Sequence, residues 1–118
     1  MDIRQIDERL WVTGQVRPEQ IGELAAHGVR AIICNRPDGE EVGQPSFDEV
    51  AAAARKAGLE ARYIPVLPTG PGPREVSAFA KAMAELPAPV LAYCRSGARA
   101  AGTAAAAAMG DTPARVSG

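Results

Sequence analysis

Cysteine and histidine are scarce in this chain of 118 residues, which contains two cysteines and one histidine. Two thiols are too few to build the disulfide framework of a small secreted domain, and together with His27 they make a poor set of zinc ligands. The sequence therefore predicts no bound metal and no cofactor. We expect Cys34 and Cys94 to be reduced thiols in the resting protein.

The chain also lacks a strong net charge and a long hydrophobic run. Its 13 basic and 14 acidic residues leave a net charge of −1, so no long-range field attracts nucleic acid or an anionic membrane. No stretch approaches the roughly 20 apolar residues that span a bilayer, and the N-terminal residues do not resemble a signal peptide. We expect a soluble cytoplasmic protein with no nucleic acid partner and no membrane partner.

The composition suits one globular domain, because 47% of the residues are hydrophobic and the length leaves little room for a second core. We expect this single domain to cover residues 1–110. Residues 111–118 are predicted to form a loose C-terminal tail.

Apolar runs alternate with amphipathic segments along the chain and predict the order β-α-β-α-β-α-β-α. The predicted strands cover residues 10–14, 29–34, 63–66 and 90–93. The predicted helices begin at Pro18, Ser46, Pro73 and the segment after Cys94, and the last one ends near Gly110. This order predicts an α/β fold with a mostly parallel sheet of four to five strands and helices on both faces. A site is then expected at the carboxyl ends of the strands.

One loop at this edge carries a distinctive set of residues: Cys94, Arg95, Ser96, Gly97, Ala98 and Arg99. A cysteine between a buried strand and a helix N-terminus lies where the helix dipole and unpaired N–H groups stabilise a thiolate. Gly97 permits a tight backbone path, Ser96 can donate a hydrogen bond to the sulfur, and Arg99 can bind a tetrahedral oxyanion with two N–H groups. The loop therefore predicts a nucleophilic cysteine and a binding site for phosphate or sulfate, although a lone cysteine is more often a buried core residue.

The sequence resembles the bacterial beta-lactamase-hydrolase-like phosphatase family, whose members are small relatives of the dual-specificity protein phosphatases. Four segments carry the resemblance: WVTGQ, AIICNRPDGEE, YIPV and PVLAYCRSGARA. The resemblance implies a cysteine-phosphatase-like three-layer sandwich and a phosphorylated substrate, either a protein or a small molecule. It also implies that Cys94 forms a phosphocysteine, that residues 95–99 bind the phosphate, and that Arg99 clamps it.

The chain departs from the ordinary tyrosine-phosphatase pattern in four places. Four residues instead of five separate Cys94 from Arg99, Tyr93 replaces the histidine before the cysteine, and Ala100 replaces the serine or threonine after the arginine. The loop at residues 67–73 contains no aspartate, although this is where those enzymes keep their general acid.

The nearest candidates for the missing acid are Asp38, Glu40 and Glu41, and we take Asp38 as the candidate catalytic acid. The alternative is that Pro37-Asp38-Gly39 is a plain turn with solvated acids. Arg36 in the same loop is a candidate phosphate-binding residue, although it could also pair with one of these acids at the surface.

Two other functions remain open. The string YCRSGARAA is also close to the active loop of single-domain rhodaneses, in which the cysteine carries a persulfide, so a sulfurtransferase or persulfide carrier is the alternative enzyme. A non-catalytic module that binds phosphate or sulfate is the third possibility.

Cys34 ends a predicted strand that neighbours the strand before Cys94. A related phosphatase, of the tensin-homologue class, carries a cysteine in a similar place that traps the nucleophile as a disulfide. The resemblance thus implies a redox role for Cys34 through a reversible bond with Cys94. The alternative is that Cys34 is a core residue.

Overall fold

The computed structural model describes residues 1–117, with side chains through residue 109, and contains one five-stranded sheet. The strands are β1 (Arg4–Gln5), β2 (Leu10–Thr13), β3 (Ala31–Cys34), β4 (Glu60–Tyr63) and β5 (Val90–Tyr93). Their order across the sheet is β1-β2-β5-β3-β4, and β1 is antiparallel to β2 while the other neighbours are parallel. The predicted α/β fold with a mostly parallel sheet is confirmed.

Four helices cover the two faces of this sheet. They are α1 (Ile21–Ala26), which follows a 3-10 turn at Pro18–Gln20, α2 (Phe47–Lys56), α3 (Pro73–Glu85) and α4 (Ala98–Ser117). Residues of α1 and α2 share one buried cluster, and residues of α3 and α4 share the other. The result is the three-layer sandwich expected from the family resemblance.

The central strand β5 belongs to both cores because its side chains alternate between the two faces. Val90 and Ala92 lie in the cluster under α3 and α4, whereas Leu91 and Tyr93 lie in the cluster under α1 and α2. Strands β2 and β3 flank β5 in parallel register, so the loops that follow β2, β3 and β5 meet at one edge of the sheet. This edge holds the cysteine loop, the name used below for residues 94–99.

The third predicted strand was placed wrongly along the chain. It was expected at residues 63–66, whereas β4 covers Glu60–Tyr63. The reason is its position at the edge of the sheet, where a strand needs no continuous apolar run: Glu60 is exposed and Arg62 is half-buried. The apolar residues that follow leave the strand, and Ile64 still donates a backbone hydrogen bond to Cys34.

The last helix is longer than predicted, because α4 continues past Gly110 to Ser117. One glycine costs a helix only about 1 kcal/mol relative to alanine, and alanines fill the preceding turns. Gly118, the last residue of the predicted tail, lies outside the described residues.

The described part of the chain lacks two features, a membrane-spanning helix and a cluster of metal ligands. No helix within residues 1–117 has both the length and the apolar character needed to cross a bilayer. The same residues form no group of three or more histidine, cysteine, aspartate or glutamate side chains arranged to hold a metal ion.

Candidate active site

The sulfur of Cys94 lies at the centre of the candidate site. Cys94 directly follows β5 and is 1% exposed, and its loop leads into α4 at Ala98. The backbone N–H of Gly97 donates a hydrogen bond to the Cys94 sulfur over 3.1 Å. The predicted junction of strand, cysteine loop and helix is therefore present, and it directs an N–H group of the loop at the thiol.

Two glycines allow the cysteine loop to take this shape. Gly97 has a φ of 95°, a region that L side chains rarely adopt, and a Cβ there would lie 3.3 Å from the carbonyl carbon of Thr13. A Cβ on Gly14 would lie 2.9 Å from the carbonyl oxygen of Arg95, and the N–H of Gln15 donates to that same oxygen over 3.3 Å. The segment after β2 thus supports the cysteine loop from one side, a role that the sequence alone did not reveal for Gly14.

The guanidinium of Arg99 is held by an acidic partner from another loop. Its Nη1 donates to Oε2 of Glu40 over 2.7 Å and to the carbonyl oxygen of Val66 over 2.9 Å, and its Nη2 donates to Oε1 of Glu40 over 2.8 Å. Glu40, and to a smaller extent Cys94, raises the pKa of Arg99. These bonds use three of the five N–H donors of an arginine, so two remain for an oxyanion beside Cys94.

Glu40 is the link between two arginines. Its Oε1 also accepts a hydrogen bond from Nε of Arg36 over 2.9 Å. The two guanidinium groups, chiefly that of Arg99, lower the pKa of Glu40 to about 2. Glu40 is therefore ionised at neutral pH and unsuited to donate a proton, which removes it from the three candidate acids named from the sequence.

Arg36 is buried, with 3% of its surface exposed, and does not form the solvated surface pair considered from the sequence. Besides Glu40, its guanidinium donates to Oε1 of Gln15 over 3.0 Å and to Oε1 of Glu41 over 3.1 Å. A buried arginine with three partners joins the loop after β2 to the loop after β3. Its phosphate-binding role stays a prediction.

The carboxylate of Asp38 serves the start of α2. Its Oδ1 accepts a hydrogen bond from the backbone N–H of Phe47 over 2.8 Å. The backbone N–H of Asp38 donates to the hydroxyl of Tyr63 over 2.9 Å, and the ring of Tyr63 stacks on that of Phe47 with centroids 4.9 Å apart. These contacts fix Asp38 in a turn, and its role as catalytic acid stays a prediction.

The remaining predicted residues lie in the cysteine loop itself. Arg95 has a largely exposed side chain whose Nη2 is 4.0 Å from Oε2 of Glu41. The hydroxyl of Ser96 accepts a weak hydrogen bond from the N–H of Ala98 over 3.4 Å at the start of α4. Neither side chain is tightly bound to the protein, so both can reorient toward a ligand.

Cys34 and Cys94 are not brought together. Cys34 is the register partner of Tyr93, one residue before Cys94, and side chains alternate along a strand. The two free thiols therefore lie in different buried clusters on opposite faces of the sheet. Burial raises the pKa of Cys34 to about 11, and its thiol donates a hydrogen bond to the carbonyl oxygen of Arg36 over 3.2 Å.

Mild oxidation is therefore expected to modify Cys94 without forming the disulfide that the resemblance implied. A disulfide requires Cβ atoms about 4 Å apart with suitable direction, which side chains on opposite faces of a sheet cannot reach without backbone movement. Peptide mapping after dilute peroxide measures this directly. A peptide pair linked through Cys34 and Cys94 would contradict the expectation.

Several known proteins resemble this chain in sequence or in fold. A beta-lactamase hydrolase-like protein of Xylella fastidiosa (strain Temecula1) is 43% identical over 100 residues, which are 85% of this chain and 23% of the relative. The chain thus spans about a quarter of the length of the curated relatives it matches. A crystal structure of a candidate phosphatase from Neisseria meningitidis superposes with a TM-score of 0.78 at 35% identity, covering 85% of this chain and 71% of that one.

A candidate phosphatase of the DUF442 group from Shewanella putrefaciens gives a TM-score of 0.80 at 25% identity, covering 94% of this chain and 69% of that one. Residues 2–111 match the phosphatase-like domain of the beta-lactamase hydrolase-like proteins. With this fold, this cysteine loop and this match over nearly its whole length, the chain belongs to that phosphatase-like domain family.

Proposed function

We propose that this chain is a cysteine-dependent phosphatase that hydrolyses phosphomonoesters through a cysteinyl-phosphate intermediate. The observation that carries the proposal is the pairing of the Cys94 sulfur with the Gly97 N–H, in the same loop as an Arg99 guanidinium that has two N–H groups to spare. Membership of a phosphatase-like family supports a hydrolase.

In the first step the Cys94 thiolate attacks the phosphorus atom of the ester. The S–P bond forms while the P–O bond to the leaving group breaks, and the leaving oxygen takes a proton from an acid or from water. The N–H groups of the cysteine loop and the two remaining donors of Arg99 stabilise the charge on the transferred phosphoryl group. Ser96 is proposed to donate a hydrogen bond to the sulfur.

In the second step water attacks the phosphocysteine, the S–P bond breaks, and inorganic phosphate leaves with the thiolate restored. Arg99 must keep the same orientation in both steps, and Glu40 holds it there through two hydrogen bonds of 2.7 and 2.8 Å. Glu40 is thus a positioning residue in this proposal. Asp38 remains the proposed acid, and Arg36 is proposed to add positive charge near the phosphate.

The substrate of this proposal is a phosphorylated protein or small molecule, with phosphotyrosine as one candidate. Inorganic phosphate or sulfate is expected to bind the cysteine loop as a product or a mimic. Both cysteines are free thiols, which fits a reducing compartment such as the cytoplasm.

Hydrolysis of p-nitrophenyl phosphate, measured beside sulfur transfer from thiosulfate to cyanide, tests the proposed function. Wild-type protein is expected to release phosphate, and Cys94→Ser is expected to abolish the release because the hydroxyl is a far weaker nucleophile. Cys34→Ser is the matched control, since its buried thiol donates to a backbone carbonyl and should leave turnover within about twofold. Thiocyanate production without phosphate release would overturn the proposal in favour of a persulfide carrier.

A further inference from the structure

A second pocket opens beside the cysteine loop, and of its lining residues the two steps above name only Arg36. Its volume is about 430 Å³, and its walls come from the loop after β2, the loop after β3, and the cysteine loop. The lining residues are Gln15, Arg17, Arg36, Glu41, Val42, Gly43, Gln44, Pro45 and Arg95. We call it the arginine pocket. A larger cavity of about 530 Å³ lies between α3 and α4, and no residue of the cysteine loop lines it.

Positive charge dominates the arginine pocket. Three arginines and one glutamate are its only charged lining residues. Arg99, Glu40 and Glu19 belong to ion pairs or chains of ion pairs that include lining residues. When these three residues are added to the lining residues, the total is four arginines and three glutamates. In a chain whose net charge is −1, this is a local excess suited to an anion.

Two of the pocket arginines have donors to spare. Arg95 is 69% exposed in its side chain, and its contact with Glu41 at 4.0 Å is too long for a hydrogen bond. Arg17 uses its Nε to bind Glu19 over 2.7 Å, which leaves both of its terminal nitrogens uncommitted. A guanidinium group with free N–H donors can bind two oxygens of one phosphate group at the same time.

The arginine pocket and the cysteine loop have one residue in common, Arg95. Arg95 directly follows Cys94 in the cysteine loop and is also a lining residue of the pocket. The N–H of Gln15, another lining residue, donates to the backbone carbonyl of Arg95 over 3.3 Å. A group bound in the pocket thus contacts the loop that holds Cys94, at the residue next to it.

The acids brought to this side of the site are all engaged. Asp38, Glu40, Glu41 and Glu75 each accept a hydrogen bond from a protein donor. The loop at residues 67–73 contains no acidic residue. A leaving group that departs without a proton would not depend on Asp38, the proposed acid, and would meet positive charge in the arginine pocket.

We propose that the arginine pocket holds a second phosphate of the same substrate, and that the preferred substrate is a phosphoanhydride whose terminal phosphoryl group passes to Cys94. The inference rests on the proposed function and names its substrate class. The leaving group is then a phosphate monoester, whose second pKa is about 6, so it departs at neutral pH without needing a proton. Arg17 and Arg95 stabilise its charge instead.

The bonds in this reaction balance. The thiolate of Cys94 attacks the terminal phosphorus, the S–P bond forms, and the bond from that phosphorus to the bridging oxygen breaks. The bridging oxygen stays with the leaving phosphate monoester and carries the electron pair. Water then hydrolyses the phosphocysteine to inorganic phosphate.

The test compares n-butyl diphosphate, n-butyl phosphate and p-nitrophenyl phosphate as substrates of the full chain, with kcat/KM measured from phosphate release. The diphosphate is expected to exceed the butyl monophosphate by at least about 100-fold, the lower end of what a positioned general acid contributes. The second readout is kcat/KM for the diphosphate divided by kcat/KM for p-nitrophenyl phosphate. Arg17→Ala is expected to lower this ratio at least about tenfold, because it removes a charge-assisted hydrogen bond. Arg55→Ala, an exposed arginine at the end of α2, is the matched control and should leave the ratio within twofold.

The outcomes separate the two proposals. Cys94-dependent hydrolysis of p-nitrophenyl phosphate without preference for the diphosphate, or with a ratio that Arg17→Ala does not change, overturns the anhydride inference and leaves the proposed function in place. Absence of hydrolysis with all three substrates overturns both.

Discussion

Replacing Arg99 by lysine is expected to lower kcat/KM for p-nitrophenyl phosphate by about 100-fold or more, since loss of one donor from an oxyanion site commonly costs 10²–10³ in rate. Lysine keeps the positive charge, but its single nitrogen cannot bind both oxygens of Glu40 from two positions and still offer two N–H groups to the phosphate. In the protein, Glu40 and the carbonyl of Val66 take three N–H groups of Arg99 and fix its plane.

Arg62→Lys is the matched control for this measurement. Arg62 also pairs with a glutamate, since its Nη2 lies 2.8 Å from Oε1 of Glu85, but both side chains are partly exposed to solvent, at 37% and 45%. Exposed pairs of this kind contribute little, so the control is expected to keep its activity. Equal activity of Arg99→Lys and Arg62→Lys would contradict the role given to Arg99.

Gly14→Ala is expected to destabilise the protein by about 1–3 kcal/mol, the usual cost of overpacking, and to lower kcat/KM by at least about tenfold. The new Cβ would lie 2.9 Å from the carbonyl oxygen of Arg95, and backbone on both sides must move to relieve this contact. The movement reaches the cysteine loop directly. Chemical denaturation and phosphate release measure the two effects.

Gly22→Ala is expected to change stability in the opposite direction. Gly22 lies in the first turn of α1, and a Cβ there meets no atom within 4 Å. Exchange of glycine for alanine at a compatible position stabilises by about 0.4–1 kcal/mol through the unfolded chain. If both substitutions had the same effect, close approach to Arg95 would not explain the glycine after β2.

Much of the fold could be predicted from the sequence because its signals are local. Apolar runs marked the buried strands β3 and β5, and Ser46 with Glu49 marked the start of α2, where the predicted capping box is present. Strand β4 was misplaced because an edge strand has no apolar run to reveal it. The end of α4 was misplaced because one glycine is a weak stop signal.

The cysteine loop was predictable for the same reason, since residues 94–99 are contiguous. The partners of its side chains were not, because they depend on how three loops meet at the sheet edge. Glu40 lies 59 residues before Arg99 in the chain, and no local pattern indicates that the two pair. The separation of Cys34 from Cys94 depends on the faces of the sheet on which the two side chains lie. Side-chain alternation assigns these faces only when the register is known, and the sequence does not reveal that Cys34 pairs with Tyr93.

Trapping the covalent intermediate tests the central claim most directly. Wild-type protein mixed with p-nitrophenyl phosphate, quenched in acid within the first turnover and digested, is expected to yield the Cys94 peptide carrying a phosphoryl group, and Cys94→Ser is expected to yield none. Phosphate release with no phosphorylated Cys94 peptide at any quench time, or release that persists in Cys94→Ser, would contradict a cysteinyl-phosphate mechanism.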